Sequence, residues 1–359
     1  MKRVLCIISS LDAGGAETFL MKVSRSLPSD EYQLDFIVSV GNGCYTFEVL
    51  ARGGKIYQIP QRTKDFWGAF NGIKKIVKDN RYDTVLKLGE NSLAVFDLIA
   101  AKLGGARNLA LRSCNAPTGL SFKARCIHNF FMPLLNWIVT VKIAPSQLAA
   151  QFMFGKSSDI KLLNNGVDLS VYRFMAQDRI KIREEFGLKD KLVVGHVGRF
   201  HKQKNHGYLL EIFKEIYKKR NDAILLLVGT GSLECEVSEQ ISKLGLENNV
   251  ILTGQRFDIP ALLSAMDVFI FPSLHEGMPN TVIEAQATGL PCVIADTITQ
   301  EADITGLVHY LSLKESPEYW AEKALSLISD VRQDTSVMLA NEGYDIKNVA
   351  KEFVEIICN

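Results

Sequence analysis

Apolar residues along this chain fall into short runs that alternate with stretches of helical spacing, the pattern of strands buried on both faces of a parallel sheet and joined by helices. The first run, 3–9, leads into the loop SSLDAGGAE and a helix to about Leu27. Runs at 34–39, 55–59, 83–88 and 107–112 predict further strands, with helices over Phe66 to Val77 and from about Ser92 to Leu103. Residues 121–142 predict a helix to about Asn136 and then a strand to Ala144, and 160–163 form a strand leading to NNGVD. After a polar stretch, Ala176 to Lys191, the alternation restarts with strands at 192–198, 223–228 and 250–253 and helices at 206–219 and 233–244. Two such arrays predict an α/β protein of two doubly wound, Rossmann-like domains facing across a cleft, spanning 1–168 and 169–345. Apolar positions at Ile346, Val349, Ala350, Phe353, Val354 and Ile357 predict a last helix with one buried face.

The pattern is densest at 267–295, DVFIFPSLHEGMPNTVIEAQATGLPCVIA. Val268 to Phe271 predicts a buried strand, Pro279 a first helical position, and Gly289 with Pro291 a stop before the next strand, Cys292 to Ala295. The loop carries Glu276 and the helix carries Glu284. In parallel sheets such loops lie at the strand carboxyl ends, where helix N-termini present free N–H groups to anions. Glu284, about a turn into the helix, suits hydrogen bonds from sugar hydroxyls. Carboxylates near a helix start are also plain charge capping, and at this level both readings stand.

Composition narrows the function classes. Lys and Arg total 41 against 40 Asp and Glu, so no global charge points to nucleic acid. Seven scattered cysteines without a C-x-x-C pair disfavour a zinc site or a disulfide framework and suit a reducing cytosol. The apolar run behind the basic start is too short for a signal peptide, and no run of about 18 apolar residues predicts a membrane span. A cytoplasmic protein is expected.

Several stretches carry candidate chemistry. GRFHKQKNH at 198–206 follows a buried strand and places Arg199 and Lys204 over the same strand ends as Glu276. Two cations beside a helix N-terminus suit a diphosphate leaving group, whose charge grows as its bond breaks; a solvated basic loop is the alternative. Gly14 and Gly15 permit close backbone approach to a ligand or form an ordinary tight turn. GTGSLE at 229–234 lacks the third glycine of a dinucleotide fingerprint, which disfavours a nicotinamide enzyme. No Asp-x-Asp pair occurs, so the usual carboxylate pair for a divalent metal is missing, and neither metal nor cofactor is expected. In 121–137, Phe122, Phe130, Phe131, Leu134, Leu135 and Trp137 with Lys123 and Arg125 fit either an interfacial membrane patch or a core helix with a basic end in solvent. His128 in that helix reads as a packed or capping residue.

Taken together, GGAE at 14–17, NNGVD at 164–168, GHVGRFHKQKNH at 195–206, LLLVGTG at 225–231, TGQR at 253–256 and EGMPNTVIEAQATGLP at 276–291 resemble the family 4 retaining glycosyltransferases of GT-B fold. Within them the chain is similar to the bacterial capsular, exopolysaccharide and O-antigen type. The resemblance implies transfer of a sugar from a nucleotide diphosphate donor to a lipid-linked glycan, at the inner face of the plasma membrane. It implies that Arg199 and Lys204 contact the donor diphosphate, and that Glu276 with Gly277, Met278, Pro279, Asn280 and Thr281 meets the sugar and phosphates. Glu284 would hold the ribose hydroxyls, Gly14 and Gly15 would approach the diphosphate, and Arg256 would approach the base. It also implies that the helix at 346–359 returns to the N-terminal domain. One departure stands out: related sequences often carry a histidine in the loop after 107–112, where this chain has Cys114. Either that histidine is dispensable, or Asn115 or Arg112 supplies the contact on the acceptor side, or activity is impaired. A nucleotide-sugar epimerase, a synthase with a small acceptor, and a non-catalytic nucleotide-sugar-binding subunit are the alternatives.

Overall fold

In the computed structural model, which describes residues 1–12, 14–114, 121–157 and 159–358, the apolar runs become two all-parallel sheets. The chain divides into two compact units, Met1–Gly166 joined by Gly343–Asn359, and Val167–Glu342. In the first unit, β1 (Lys2–Ile7), α1 (Gly15–Ser26), β2 (Tyr32–Val38), α2 (Thr46–Ala51), β3 (Ile56–Gln58), α3 (Phe66–Asn80), β4 (Thr84–Gly89), α4 (Val95–Leu103) and β5 (Asn108–Ser113) alternate. They continue through α5 (Phe122–Ile138), β6 (Val141–Ala144), α6 (Gln147–Phe154) and β7 (Ile160–Leu162). The strand order is β3-β2-β1-β4-β5-β6-β7.

The second unit repeats the scheme. It runs α7 (Ala176–Glu185), β8 (Leu192–Val197), α8 (His206–Lys219), β9 (Ala223–Val228), α9 (Glu234–Leu244), β10 (Val250–Leu252), α10 (Ile259–Ala265) and β11 (Val268–Phe271). Then come α11 (Asn280–Ala287), β12 (Cys292–Ala295), β13 (Val308–Leu311), α12 (Pro317–Ser326) and α13 (Ser336–Asn341), before α14 (Ile346–Cys358) rejoins the first unit. The order here is β10-β9-β8-β11-β12-β13. Every residue of β8, β9, β11 and β12 is buried, because helices cover both sheet faces. In each unit the order reverses once, between β1 and β4 and between β8 and β11. Loops leaving such neighbours in opposite directions open a crevice at the strand carboxyl ends.

Two layers flank the first sheet. Residues of α3, α4, α5 and α6 pack in one core cluster, and α1, α2 and α14 contribute to the other. All six apolar positions that predict α14 are buried, and Phe353 meets Phe19 of α1 edge to face at 5.8 Å. The stretch Ala176 to Lys191, read from its polarity as a connector, instead contains α7. It lacks an apolar stripe because ion pairs anchor it: Arg179 and Arg183 reach Asp267 at 2.5 and 2.7 Å, and that carboxylate also accepts the Val193 N–H at 2.7 Å. Asp267 thereby fastens α7 and the start of β11 to β8. Among the described residues no helix is long and apolar enough to cross a membrane.

Phe353 is fully buried. Phe353→Ala should destabilise the first unit by about 3–5 kcal/mol, the usual cost of emptying an aromatic site. Hydrogen exchange resolved by segment will register this as faster exchange in β1, β4 and α1, with β8 to β12 unaffected.

Candidate active site

The site in the second unit forms where β8 and β11 lie side by side, Val268 against Val194 and Phe269 against Gly195. The loop after β8 and the loop after β11 are then stitched together. Leu274 donates its N–H to the Gln203 carbonyl at 2.8 Å, the Gln203 amide donates to the His275 carbonyl at 2.8 Å, and the Asn205 amide donates to the Pro272 carbonyl at 3.2 Å. Asn205 holds a left-handed conformation, φ 56°, where asparagine is tolerated, as the chain turns into α8. Glu276 is fixed in turn by a parallel bridge to Ile298.

These constraints bring Lys204 and Glu276 together. Lys204 Nζ donates to Glu276 Oε1 at 2.6 Å, and the same ammonium lies 4.4 Å from the centroid of the Phe271 ring. The two side chains are only 17% and 11% exposed, so the pair is largely withdrawn from water. Arg199, by contrast, is exposed and has no ion-pair or hydrogen-bond partner among the described residues. Gly277, Met278, Pro279, Asn280 and Thr281 run from Glu276 into α11, whose start at Pro279 has no side-chain cap. The first-turn N–H groups of such a helix carry partial positive charge. Glu284 is buried at 7% exposure one turn into α11. The neighbouring Gln286 fixes the helix from behind, its amide donating to the Ala302 carbonyl at 2.7 Å and its oxygen accepting the Ile304 N–H at 3.0 Å.

The glycines of GTGSLE have a packing role. A Cβ on Gly229 would stand 2.2 Å from the Gly198 carbonyl oxygen, and one on Gly231 would stand 2.3 Å from that of Phe200. Bare backbone is what lets this loop press against the one carrying Arg199.

Sequence patterns did not single out His196, His206 or Phe271, which underlie Lys204. His196 is fully buried in β8 and stacks on Phe271 at 5.3 Å; His206, at the start of α8, meets it edge-on at 5.0 Å. His196 Nδ1 lies 2.9 Å from the Ile270 carbonyl, which only accepts, so this nitrogen carries the proton. Burial pushes His196 well below the usual imidazole range, with His206 and Lys204 adding to the effect. Burial, again aided by Lys204, brings His206 down to about 4. Both rings are therefore neutral at neutral pH. A polar residue inside the apolar run LVVGHV was the one available signal.

Arg256 has its fork engaged elsewhere. It holds Asp258 at 2.6 Å and Glu185 at 2.7 Å, and its guanidinium lies over the Phe186 ring. In the first unit, Gly14 is the N-cap of α1 and Gly15 its first residue. The Glu17 carboxylate folds over this end, 2.2 Å from where a Gly14 Cβ would lie, so an anion docking there must displace it. Arg112, grouped with the acceptor-side loop as one possible source of the missing histidine's contact, lies at the end of the predicted strand, within β5, and is 1% exposed. Its guanidinium is 3.8 Å from the Phe19 ring centroid and donates to the Asn165 side chain, tying NNGVD to the sheet. Burial lowers it to about 10. Cys114 follows directly, its thiol pushed up to about 12 by burial and by Glu90 and Glu17 against the opposing effect of Arg112 and Lys87. Asn115 lies outside the described residues. No group of three or more His, Cys, Asp or Glu suited to a metal ion occurs among the described residues.

Two doubly wound parallel sheets, with a Lys–Glu pair and the start of α11 at the switch point of the second, define a two-domain α/β protein. The sequence profile described as "Glycosyl transferases group 1" matches residues 191–330. EpsF of Bacillus subtilis (strain 168), a provisionally named glycosyltransferase, is 33% identical over 357 residues, covering 96% of this chain and 93% of that protein. An Escherichia coli UDP-Gal:alpha-D-GlcNAc-diphosphoundecaprenol alpha-1,3-galactosyltransferase is 28% identical over 234 residues, covering 62% of this chain and 60% of that enzyme. Among solved structures, Anabaena Alr3699/HepE in complex with UDP-glucose superposes with a TM-score of 0.80 at 21% identity, covering all of both chains. The chain belongs to the group 1 glycosyl transferases, and its fold is GT-B, as the sequence resemblance implied.

His206 yields a pH prediction. Its folded value is below the ordinary one, so the unfolded chain takes up the proton first. The corresponding stability is present above about pH 6.5 and is lost as pH falls toward about 4. Between pH 7 and pH 4.5 His206→Leu should lose about 2 kcal/mol less than the parent protein, measured as denaturant midpoints at the two pH values.

Proposed function

We propose that this glycosyltransferase moves a hexosyl or N-acetylhexosaminyl group from a nucleotide diphosphate donor to a lipid-linked glycan, with retention at the anomeric carbon. The step would serve bacterial surface polysaccharide synthesis at the cytoplasmic face of the membrane. The observation that carries the reading is the contact of Lys204 with Glu276, which joins the loops after β8 and β11. It sets a preformed cation and a carboxylate ahead of α11, and Arg199 stands exposed on the same loop as Lys204 without a partner among the described residues. The E. coli relative, whose name specifies a UDP-sugar donor and a diphosphoundecaprenol-linked acceptor, supports the donor and acceptor classes.

In this reading the bond between the anomeric carbon and the diphosphate oxygen breaks, and the acceptor hydroxyl oxygen bonds to the same face of that carbon. The acceptor proton passes to the departing phosphate oxygen, leaving nucleotide diphosphate and the extended glycan. Arg199 and Lys204 stabilise the charge that grows on the diphosphate. Glu276 holds Lys204 in place and faces the sugar ring as positive character develops there, while Gly277 to Thr281 supply backbone N–H groups. Glu284 accepts from the ribose hydroxyls. A Cys114 thiol held near 12 stays protonated and is no base, which favours proton transfer to the leaving group itself. The absence of an Asp-x-Asp pair supports turnover without a divalent metal.

Arg199→Ala and Lys204→Ala should each lower kcat by about 10²-fold or more, because each acts on charge developed in the transition state. Glu276→Ala should lower kcat and combine non-additively with Lys204→Ala, since the two act as one unit. Glu284→Ala should chiefly raise the donor KM. Nucleotide release with a lipid-linked acceptor extract measures all four, and parent-like kinetics in Arg199→Ala and Lys204→Ala would sink the diphosphate assignment. Turnover should also survive EDTA; loss with chelator and recovery with manganese overturns the metal-free reading.

A further inference from the structure

Charge is unevenly distributed in a chain that is balanced as a whole. Residues 98–158 contain no Asp or Glu. Of the basic residues there, Arg107 pairs with Asp83, Lys142 pairs with Asp159, and Arg112 is buried. Lys102, Lys123, Arg125 and Lys156 stand exposed.

The same region presents aromatic rings to solvent. At about 100° per residue, Phe122, Cys126, Phe130, Pro133 and Trp137 of α5 fall within an arc of about 80°. Phe122, Phe130 and Trp137 are 84%, 76% and 75% exposed. Lys123 and Arg125 flank this arc on its two sides, while His128, Leu135 and Ile138 on the opposite side are buried. The apolar surface continues across the neighbouring helices. Phe130 touches Phe131, Phe131 touches Phe96, Phe96 touches Phe66 and Phe66 touches Trp67, at centroid distances of 5.0, 5.2, 5.4 and 5.2 Å. Trp67 is itself 68% exposed. Lys102 extends over the Trp137 ring at 5.1 Å.

This face is rigidly mounted. His128 Nδ1 accepts the Ser92 N–H at 3.0 Å, and Nε2 donates to the Phe152 carbonyl at 2.9 Å, so one neutral ring clamps α5 to the elements on both sides. Binding here needs no folding of the helix.

We propose that the outward face of α5, together with Trp67 and Lys102, docks on an anionic phospholipid surface. Its rings would sit at the headgroup level and its Lys and Arg heads would reach the phosphates. The acid-free stretch 98–158 decides for lipid: anionic headgroups are matched by cations on both flanks of α5 with no carboxylate on that helix to repel them, Asp65 near Trp67 is engaged as the N-cap of α3, and the attraction weakens with salt. The proposal deepens the acceptor side of the reading above, since a lipid-linked glycan is presented at a bilayer.

Its test reads binding without turnover, so the two readings can fail separately. The full chain is sedimented with vesicles of phosphatidylcholine alone or with added phosphatidylglycerol, at low and high salt. Two of the three tryptophans lie on this face, so a blue shift of emission should accompany binding. Binding should be ~10-fold or more tighter with phosphatidylglycerol, and should fall ~10-fold or more in Phe130→Glu/Trp137→Glu and in Lys123→Glu/Arg125→Glu. Unchanged melting curves establish that these surface variants fold, and transfer to a short-chain, water-soluble acceptor should persist in them. Parent protein that stays in the supernatant with phosphatidylglycerol vesicles, or folded variants that bind as the parent does, overturns the proposal. So does a dimer that Phe130→Glu abolishes while no vesicle binding occurs, which would assign the face to a second copy of the chain.

Discussion

Parallel pairing of β8 with β11 is the constraint on which the candidate site depends. Strand order reverses there, so the loops after the two strands diverge in the sheet plan yet stand side by side at the strand ends. The Leu274 N–H donating to the Gln203 carbonyl and the Gln203 side-chain amide donating to the His275 carbonyl then close the distance, and a lysine and a glutamate 72 residues apart meet at 2.6 Å. Asp267 secures the same pairing from the opposite end by gathering Arg179, Arg183 and the Val193 N–H. A fault in the β8–β11 register would separate Lys204 from Glu276 without altering either residue.

The surroundings of Lys204 explain why this cation is stable in a mostly dry place. One side meets a carboxylate, the other an aromatic face, and the rings beneath are histidines kept neutral by burial. A protonated histidine there would set a second positive charge against the ammonium in a region of low polarity, where such repulsion is poorly screened. Neutral rings leave Lys204 as the local charge. In the proposed reading, the diphosphate would meet in Lys204 a cation already oriented by Glu276.

The first unit is arranged differently. Its cation at the end of β5, Arg112, is consumed in structure, linking Phe19, Asn165 and the sheet. The neighbouring thiol is held protonated by burial. Among the described residues, the Glu17 carboxylate lies over the start of α1, where it meets the helix dipole. The acid-free aromatic surface of α5 gives the unit a polarity of its own, although acids and bases almost cancel over the whole chain.

Periodicity in the sequence determined the two parallel sheets, most helices and the burial of α14, because strands covered on both faces must be apolar throughout and a helix on a sheet needs one apolar stripe. It failed for α7, whose attachment is ionic and leaves no stripe to read. Motif order along the chain determined the family and brought Arg199, Lys204, Glu276 and Glu284 forward as candidates. Only the tertiary structure decided which of them touch: that Lys204 is paired while Arg199 has no partner among the described residues, that Arg256 holds Glu185 and Asp258, and that Arg112 is buried against Phe19. The same holds for His196 and His206, ordinary letters in a motif until burial fixes their charge. Contacts of this kind depend on strand order and side-chain direction across residues distant in sequence, and local pattern carries no record of either.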